Sequence, residues 1–151
     1  MQRFNRFPVT LYRIQPSLPV NLREYDTQRA LNRLSFDLKL HDGLVLPMPG
    51  DKFHTPNGMS LRQLSPKMES ILNSFKGSSK KLRIYRMQEY SQVPEDMILI
   101  LEHTDHYSLQ VKIPMTLEQF NVSLTSYLQT LPSMSMQEFF EFYNDPDDFD
   151  N

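Results

Sequence analysis

The sequence contains no cysteine and no tryptophan, and only 4 of its 151 residues are glycine. Without cysteine the chain cannot form a disulfide, a thiolate nucleophile or a zinc site with sulfur ligands. The glycines are too far apart for either common phosphate-binding fingerprint, and no elbow motif marks a serine nucleophile. No apolar run approaches the length of a membrane span. The chemistry that short motifs identify most readily is therefore excluded.

Length and charge indicate a single soluble domain. A chain of 151 residues, 39% of them hydrophobic, can bury one core, and its 11 prolines favour short elements joined by shaped loops. The net charge of -2 gives no overall argument for a nucleic-acid or membrane surface. The segment MQRFNRFP lacks the apolar core of a signal peptide, so we expect a cytoplasmic protein. We expect one domain over residues 1–144 and an acidic, disordered tail over residues 145–151.

Patterns of apolar residues predict a mixed α+β fold. Strands are predicted at residues 9–14, 82–87, 97–102 and 105–112, with a short strand or turn exit at 44–46. Helices are predicted at residues 27–34, at 65–77 between the Ser65 cap and Gly77, and after the capping boxes Thr116/Gln119 and Ser135/Glu138. Residues 47–62 predict a long irregular loop with a turn at Asn57-Gly58. Strands crowded in the second half favour α+β over a doubly wound sheet.

The strand at residues 105–112 (DHYSLQVK) carries a histidine beside a tyrosine at its start. Successive side chains of a strand point to opposite faces. Alternation therefore separates three polar side chains from three apolar ones: His106, Ser108 and Gln110 against Tyr107, Leu109 and Val111. The polar face could line a cleft, and the apolar face could pack on a core.

Other polar residues lie at the ends of predicted elements. Arg13 ends a strand beside Tyr12, and Ser60 lies in the glycine-bearing loop beside Arg62. An arginine can grip phosphate with two parallel hydrogen bonds, and an aromatic ring can stack on a planar ligand. Each residue taken alone is more often a surface ion pair or a core-edge side chain. Their significance depends on whether the fold brings them together.

Two histidines near the same strand raise the question of a metal. His103 and His106 could ligate an ion with Glu102 or Asp105. Neighbouring loop histidines are commonly just solvated, so the sequence alone predicts no metal site.

Three stretches in order and spacing resemble a known family: TLYR at residues 10–13, DGLVLP followed by NGMSLR within residues 42–62, and DHYSLQ followed by PM within residues 105–115. Together they resemble the Tse-two-type ADP-ribosyltransferase-like toxin family. Its founding member is a bacterial type six secretion effector, and it has relatives in fungi. The resemblance extends from residue 7 to about residue 131.

The resemblance implies an ADP-ribosyltransferase fold, with two small, highly curved antiparallel sheets and helices around an NAD cleft. Arg13 would match the first part of a three-part signature and Ser60 the second. The late part would fall on His106, where such strands usually begin with Glu, and Glu102 is the nearby acidic substitute. The resemblance implies catalytic roles for His106, Ser60 and Glu102. It implies NAD contacts by Arg13, Tyr12, Ser60, Arg62 and Tyr107.

The function implied is that of a toxin that cleaves the nicotinamide-ribose bond of NAD through an oxocarbenium-like state and modifies a cytosolic protein or nucleic acid. An immunity or antitoxin protein would be a further partner, and no membrane partner is expected. Two alternatives remain open. One is a binding module for NAD, ADP-ribose or a protein, favoured by the missing Glu. The other is an RNA 2'-phosphotransferase-like enzyme, which would require Arg13, Arg62 and a third basic residue to converge.

Overall fold

Short strands and short helices follow one another irregularly along the chain. A computed structural model describes residues 1–75 and 80–143. Within these ranges the strands are β1 (Gln2–Phe4), β2 (Leu11–Gln15), β3 (Met59–Leu61), β4 (Arg83–Met87), β5 (Met97–His103), β6 (His106–Val111) and β7 (Ser133–Met134). The helices are α1 (Tyr25–Ala30), α2 (Pro66–Ser74), α3 (Leu117–Gln129) and α4 (Met136–Phe142). The predicted helix end at Gly77 and the predicted tail at 145–151 lie outside the described residues.

The larger sheet has four antiparallel strands in the order β1-β5-β6-β3. Strands β5 and β6 form its central hairpin, in which Leu99 pairs with Leu109. Both leucines are fully buried in the main core together with Phe120 and Leu124 of α3. Burial of one face fixes the register of a strand, because a slip of one residue would turn every apolar side chain outward. The core therefore determines where His106 lies at the start of β6.

The smaller sheet has three antiparallel strands in the order β2-β4-β7. It shares a second buried cluster with α2 and α4, which includes Tyr12, Met68 and Phe139. The two sheets meet where β2 runs beside β3. There the Tyr12 N–H donates to the Arg62 carbonyl at 2.7 Å, and the Arg62 N–H donates to the Tyr12 carbonyl at 3.0 Å. This junction brings the strand that carries Arg13 next to the strand that carries Ser60.

The fold class expected from the sequence is confirmed: the described residues form a mixed α+β structure, with four helices and two small antiparallel sheets, neither of them closed into a barrel. Both predicted capping boxes are present, at Thr116 and at Ser135. Ser65 caps α2, with Pro66 in its first turn, as predicted. Within the described ranges, no helix has the length and hydropathy needed to cross a bilayer.

The prediction of an irregular loop over residues 47–62 is wrong at its C-terminal end, which forms β3. A three-residue strand is too short to show alternation in sequence, and it forms because β6 offers it a partner. The expected strand or turn exit at residues 44–46 forms only isolated bridges, one of which joins Val45 to Met115.

The turn predicted at Asn57-Gly58 is also wrong, because the backbone there forms no hydrogen-bonded turn and neither residue has a positive φ. Gly58 is required for a different reason. A Cβ at this position would overlap the carbonyl oxygen of Leu109 and lie 2.8 Å from Ser108 Oγ. The absent side chain therefore allows the chain to pass directly against β6.

The first helix is shorter than predicted, covering Tyr25–Ala30 in place of residues 27–34. It begins where the Glu24 side chain accepts hydrogen bonds from the N–H groups of Asp26 and Thr27, at 2.9 and 2.8 Å. Leu31 and Leu34 are 55% and 84% exposed, so their helical spacing does not mark a core face.

Replacing Glu24 by Ala should destabilise the protein by about 1 kcal/mol, the usual effect of losing a helix N-cap. Burial by itself would raise the pKa of Glu24, but hydrogen bonds from Asp26 and Thr27 outweigh it and lower the pKa. The stabilisation should therefore be present at neutral pH and be lost as the pH falls through the folded-state pKa. Urea unfolding of wild type and Glu24→Ala at pH 7 and pH 3 would measure this, and an equal difference at both pH values would contradict it.

Candidate functional site

A cleft of about 530 Å³ opens where the two sheets meet. This volume is in the range of small-molecule sites. Its lining comes from β2 and the segment that follows it, from β3 and from α2. The charged residues of the lining are Arg13, Arg23, Arg62 and Asp37, and Ile71 and Phe75 of the α2 region contribute apolar surface.

Arg13 is held in place within the cleft by its neighbours. Its Nε donates to Gln15 Oε1 at 3.0 Å, and its Nη1 donates to the backbone carbonyl of Ser60 at 3.2 Å. Burial lowers the pKa of Arg13 to about 10. The guanidinium therefore stays charged at neutral pH, in surroundings that solvate it poorly. A half-buried cation fixed by two hydrogen bonds, with Nη2 still available, is suited to bind an anion.

Ser60 joins the arginine to the histidine. Its carbonyl accepts from Arg13, and its Oγ lies 3.1 Å from His106 Nε2. The register explains this contact, because Ser60 pairs with Ser108 on β6 and His106 lies two residues earlier on the same face. The three residues at the positions of the signature therefore lie together, although they are far apart along the chain.

Glu102 lies behind the histidine. Its Oε2 is 3.7 Å from His106 Nδ1, and its side chain is only 1% exposed. A β-bulge creates this arrangement, since Leu101 pairs with Tyr107 while His103 pairs with His106, which leaves Glu102 as the extra residue. A bulge can redirect side chains that plain alternation would place on opposite faces. The acidic residue four positions before His106 is thus brought to the histidine.

The remaining arginines of the cleft differ in how they are paired. Arg23 is neutralised by Asp37, whose carboxylate accepts from Nη2 at 2.9 Å and from Nε at 3.1 Å. The guanidinium of Arg62 makes no hydrogen bond to another described residue, although its backbone is paired with β2. Arg13 and Arg62 are therefore the two cations of the lining that carry no acidic partner within the described residues.

Of the two tyrosines for which the resemblance implied NAD contacts, Tyr12 lines the cleft and Tyr107 does not. Tyr12 borders the cleft, but its ring is buried in the second core and its hydroxyl lies 2.7 Å from that of Tyr143. Tyr107 points into the main core, 7% exposed, with its ring 6.4 Å from that of Phe4. It is not part of the cleft lining. Alternation explains this position, because Tyr107 must face away from its neighbour His106.

The polar face of β6 does not line the cleft. Ser108 and Gln110 are 1% and 0% exposed, whereas His106 remains partly accessible. Gln110 accepts a hydrogen bond from Asn57 Nδ2 at 3.2 Å. None of the three residues is part of the cleft lining, and only His106 stays partly accessible, beside the lining residue Ser60.

Sequence reasoning missed several residues of the cleft. Gln15 orients Arg13, and its position two residues further along the same strand was a usable signal. Asp37 and Phe75 gave no such signal, because their place in the cleft depends on how the segments around β2 and β3 pack.

The α+β architecture with two small antiparallel sheets is the one expected of an ADP-ribosyltransferase-like fold. The model of the Tse2 ADP-ribosyltransferase toxin family matches residues 9–140. The chain therefore belongs to the Tse2 ADP-ribosyltransferase toxin family, as the resemblance of its motifs had indicated. Neither the curated proteins nor the solved structures include a significant match.

Proposed function

We propose that this protein is a toxin that binds NAD+ in the cleft, cleaves the nicotinamide-ribose bond and transfers ADP-ribose to a cytosolic target. The observation that carries the proposal is the contact chain through Ser60, whose carbonyl accepts from Arg13 and whose hydroxyl lies 3.1 Å from His106. Membership in the family implies NAD+ as a substrate, and the residues around the cleft fit such a ligand.

The charge of the lining suits a dinucleotide. Arg13 and Arg62 can bind the two negative charges of a pyrophosphate, since neither is paired with a carboxylate among the described residues. Ile71 and Phe75 offer apolar surface to a planar ring. The Ser60 hydroxyl can orient the ribose next to the nicotinamide. The groups assigned to this ligand therefore come from the junction of the two sheets and from the helix beside it.

The proposed reaction requires stabilisation of positive charge on the ribose. As the bond to nicotinamide breaks, the electron pair leaves with the neutral ring, and the ribose acquires oxocarbenium character. An acceptor atom of the target then donates a pair to C1' and releases its proton. Neutral His106 can accept a hydrogen bond from a ribose hydroxyl. The Glu102 carboxylate lies behind His106, with its Oε2 3.7 Å from His106 Nδ1. In these buried surroundings of low dielectric it would supply the negative charge that opposes the positive charge on the ribose.

The RNA 2'-phosphotransferase alternative needs three basic groups in the cleft. A third arginine, Arg23, does line it. Its guanidinium is bound to Asp37 by two hydrogen bonds, so it offers less charge to a phosphorylated RNA than Arg13 or Arg62. The geometry therefore favours ADP-ribosyl transfer. Incubation with NAD+ and a 2'-phosphorylated oligonucleotide would test the choice, since removal of the phosphate would support the alternative.

Replacing Ser60 by Ala should lower kcat/KM for nicotinamide release roughly 10- to 100-fold, because the ribose and His106 lose their shared positioning group. Ser108→Ala is the matched control. Ser108 is the neighbour of Ser60 across the strands, but its Oγ is buried and has no hydrogen-bond partner in the described structure. Its removal should leave turnover unchanged. Equal rates for wild type and Ser60→Ala would contradict the assigned role.

A further inference from the structure

Two buried polar atoms face each other beside the cleft with no partner. Glu102 Oε2 and His106 Nδ1 lie 3.7 Å apart, and neither makes a hydrogen bond to a described residue. A buried carboxylate oxygen or imidazole nitrogen without a partner is unfavourable and requires an explanation. The distance is too long for a direct hydrogen bond between them.

A third donor completes the group. The ring of His103 stacks on that of His106, with centroids 5.3 Å apart and planes inclined by 19°. Glu102, His103 and His106 each offer one ligand atom, and these three atoms all lie within 4.8 Å of one another. The β-bulge at Glu102 is the cause, because it places two consecutive residues of β5 opposite one residue of β6.

We infer that Glu102, His103 and His106 form a binding site for a transition-metal ion, with Zn²⁺ the best match. Two imidazoles and a carboxylate are a common zinc ligand set when one position is left open. With metal-ligand bonds of about 2.1 Å, tetrahedral ligands lie about 3.4 Å apart, close to the observed Glu102-His106 spacing. His103 is exposed, so its ring can rotate to reach the ion. A fourth ligand, such as water, would have to approach from the side of His103, the exposed member of the group.

Metal binding would also define the tautomer of His106, the histidine in contact with the cleft residue Ser60. An ion on Nδ1 leaves the proton of neutral His106 on Nε2, the atom that lies 3.1 Å from Ser60 Oγ. His106 would then donate to Ser60 and could no longer accept through that nitrogen. The site would thereby link metal occupancy to the hydrogen bonding of the cleft.

The test is titration of the purified chain with ZnCl₂ by calorimetry, and with CoCl₂ followed by visible absorption. We expect saturable binding at one site in the wild type. Glu102→Gln and His103→Ala should each weaken it roughly 100-fold or more, because each removes a direct ligand. His41→Ala, which removes an exposed histidine outside the group, should bind as the wild type does.

These measurements do not depend on NAD+ turnover, so their failure is distinguishable from failure of the proposed function. His103 is exposed, so His103→Ala should fold even if Glu102→Gln does not. Circular dichroism would verify the fold of each variant. Absence of saturable binding in the wild type, or binding that both ligand substitutions leave unchanged, would overturn the inference.

Discussion

Arg13→Ala should lower kcat/KM for nicotinamide release about 100-fold or more, which corresponds to roughly 3 kcal/mol of lost transition-state binding. Arg13 is the cation whose Nη1 is fixed on Ser60, so its removal withdraws both the anchor for the pyrophosphate and a support of the adjacent strand. The increase in melting temperature caused by NAD+ should disappear as well, because a ligand stabilises only the state that binds it. Calorimetric melting with and without millimolar NAD+ would measure this.

Two variants separate binding from folding. Arg13→Lys keeps a charge but loses the planar fork, so it should recover only part of the activity. Arg83→Ala is the matched structural control, since Arg83 also donates to a backbone carbonyl of a neighbouring strand, that of Ser133, but lies outside the cleft lining. It should retain both turnover and NAD-induced stabilisation. Loss of both properties in Arg83→Ala would show that they report on the fold of the smaller sheet and not on the cleft.

Gly58→Ala should lower the free energy of unfolding by about 3 kcal/mol or more, because the added methyl group must displace backbone in a packed interior. The nearest backbone atoms are the carbonyl oxygen and carbon of Leu109, in the middle of β6. Neither can move without disturbing the central hairpin. The same displacement would shift Ser60, two residues further on, so NAD+ turnover should fall together with stability.

Gly43→Ala separates this steric effect from the strain of positive φ. Gly43 has a φ of 77°, and a Cβ there would meet nothing within 4 Å. Its substitution should therefore reduce the free energy of unfolding by only about 1 kcal/mol, from backbone conformation alone. Urea unfolding of both variants would provide the comparison. A Gly58→Ala effect no larger than that of Gly43→Ala would contradict the close approach of the chain to β6.

The sequence was sufficient to predict the fold class and the family. Period-two alternation and capping boxes can be read within a few residues, without knowledge of the tertiary contacts. The order of the three short motifs can be read from the chain in the same way. The motifs also pointed to Arg13, Ser60 and His106, which the structure brings into one contact chain. They lie together because β3 pairs with β6 and runs beside β2.

What could not be predicted depends on contacts between distant segments. Strand β3 forms because β6 pairs with it. Its three residues are too few to show the alternation that predicts a strand from sequence. The bulge that turns Glu102 toward His106 is a property of the paired hairpin and not of either strand alone. Leu34 shows the opposite error, since its helical spacing suggested burial and the side chain is 84% exposed.

The most direct test of the proposed function is release of nicotinamide from NAD+ by the purified wild-type protein, followed by NMR. Water can serve as the acceptor when the target is missing, so release should exceed the rate without protein and should disappear in Arg13→Ala. Stabilisation by NAD+ without release of nicotinamide would contradict the proposed enzymatic activity and support a binding module on the same scaffold. Neither release nor stabilisation at millimolar NAD+ would contradict the assignment of the cleft to NAD+ altogether.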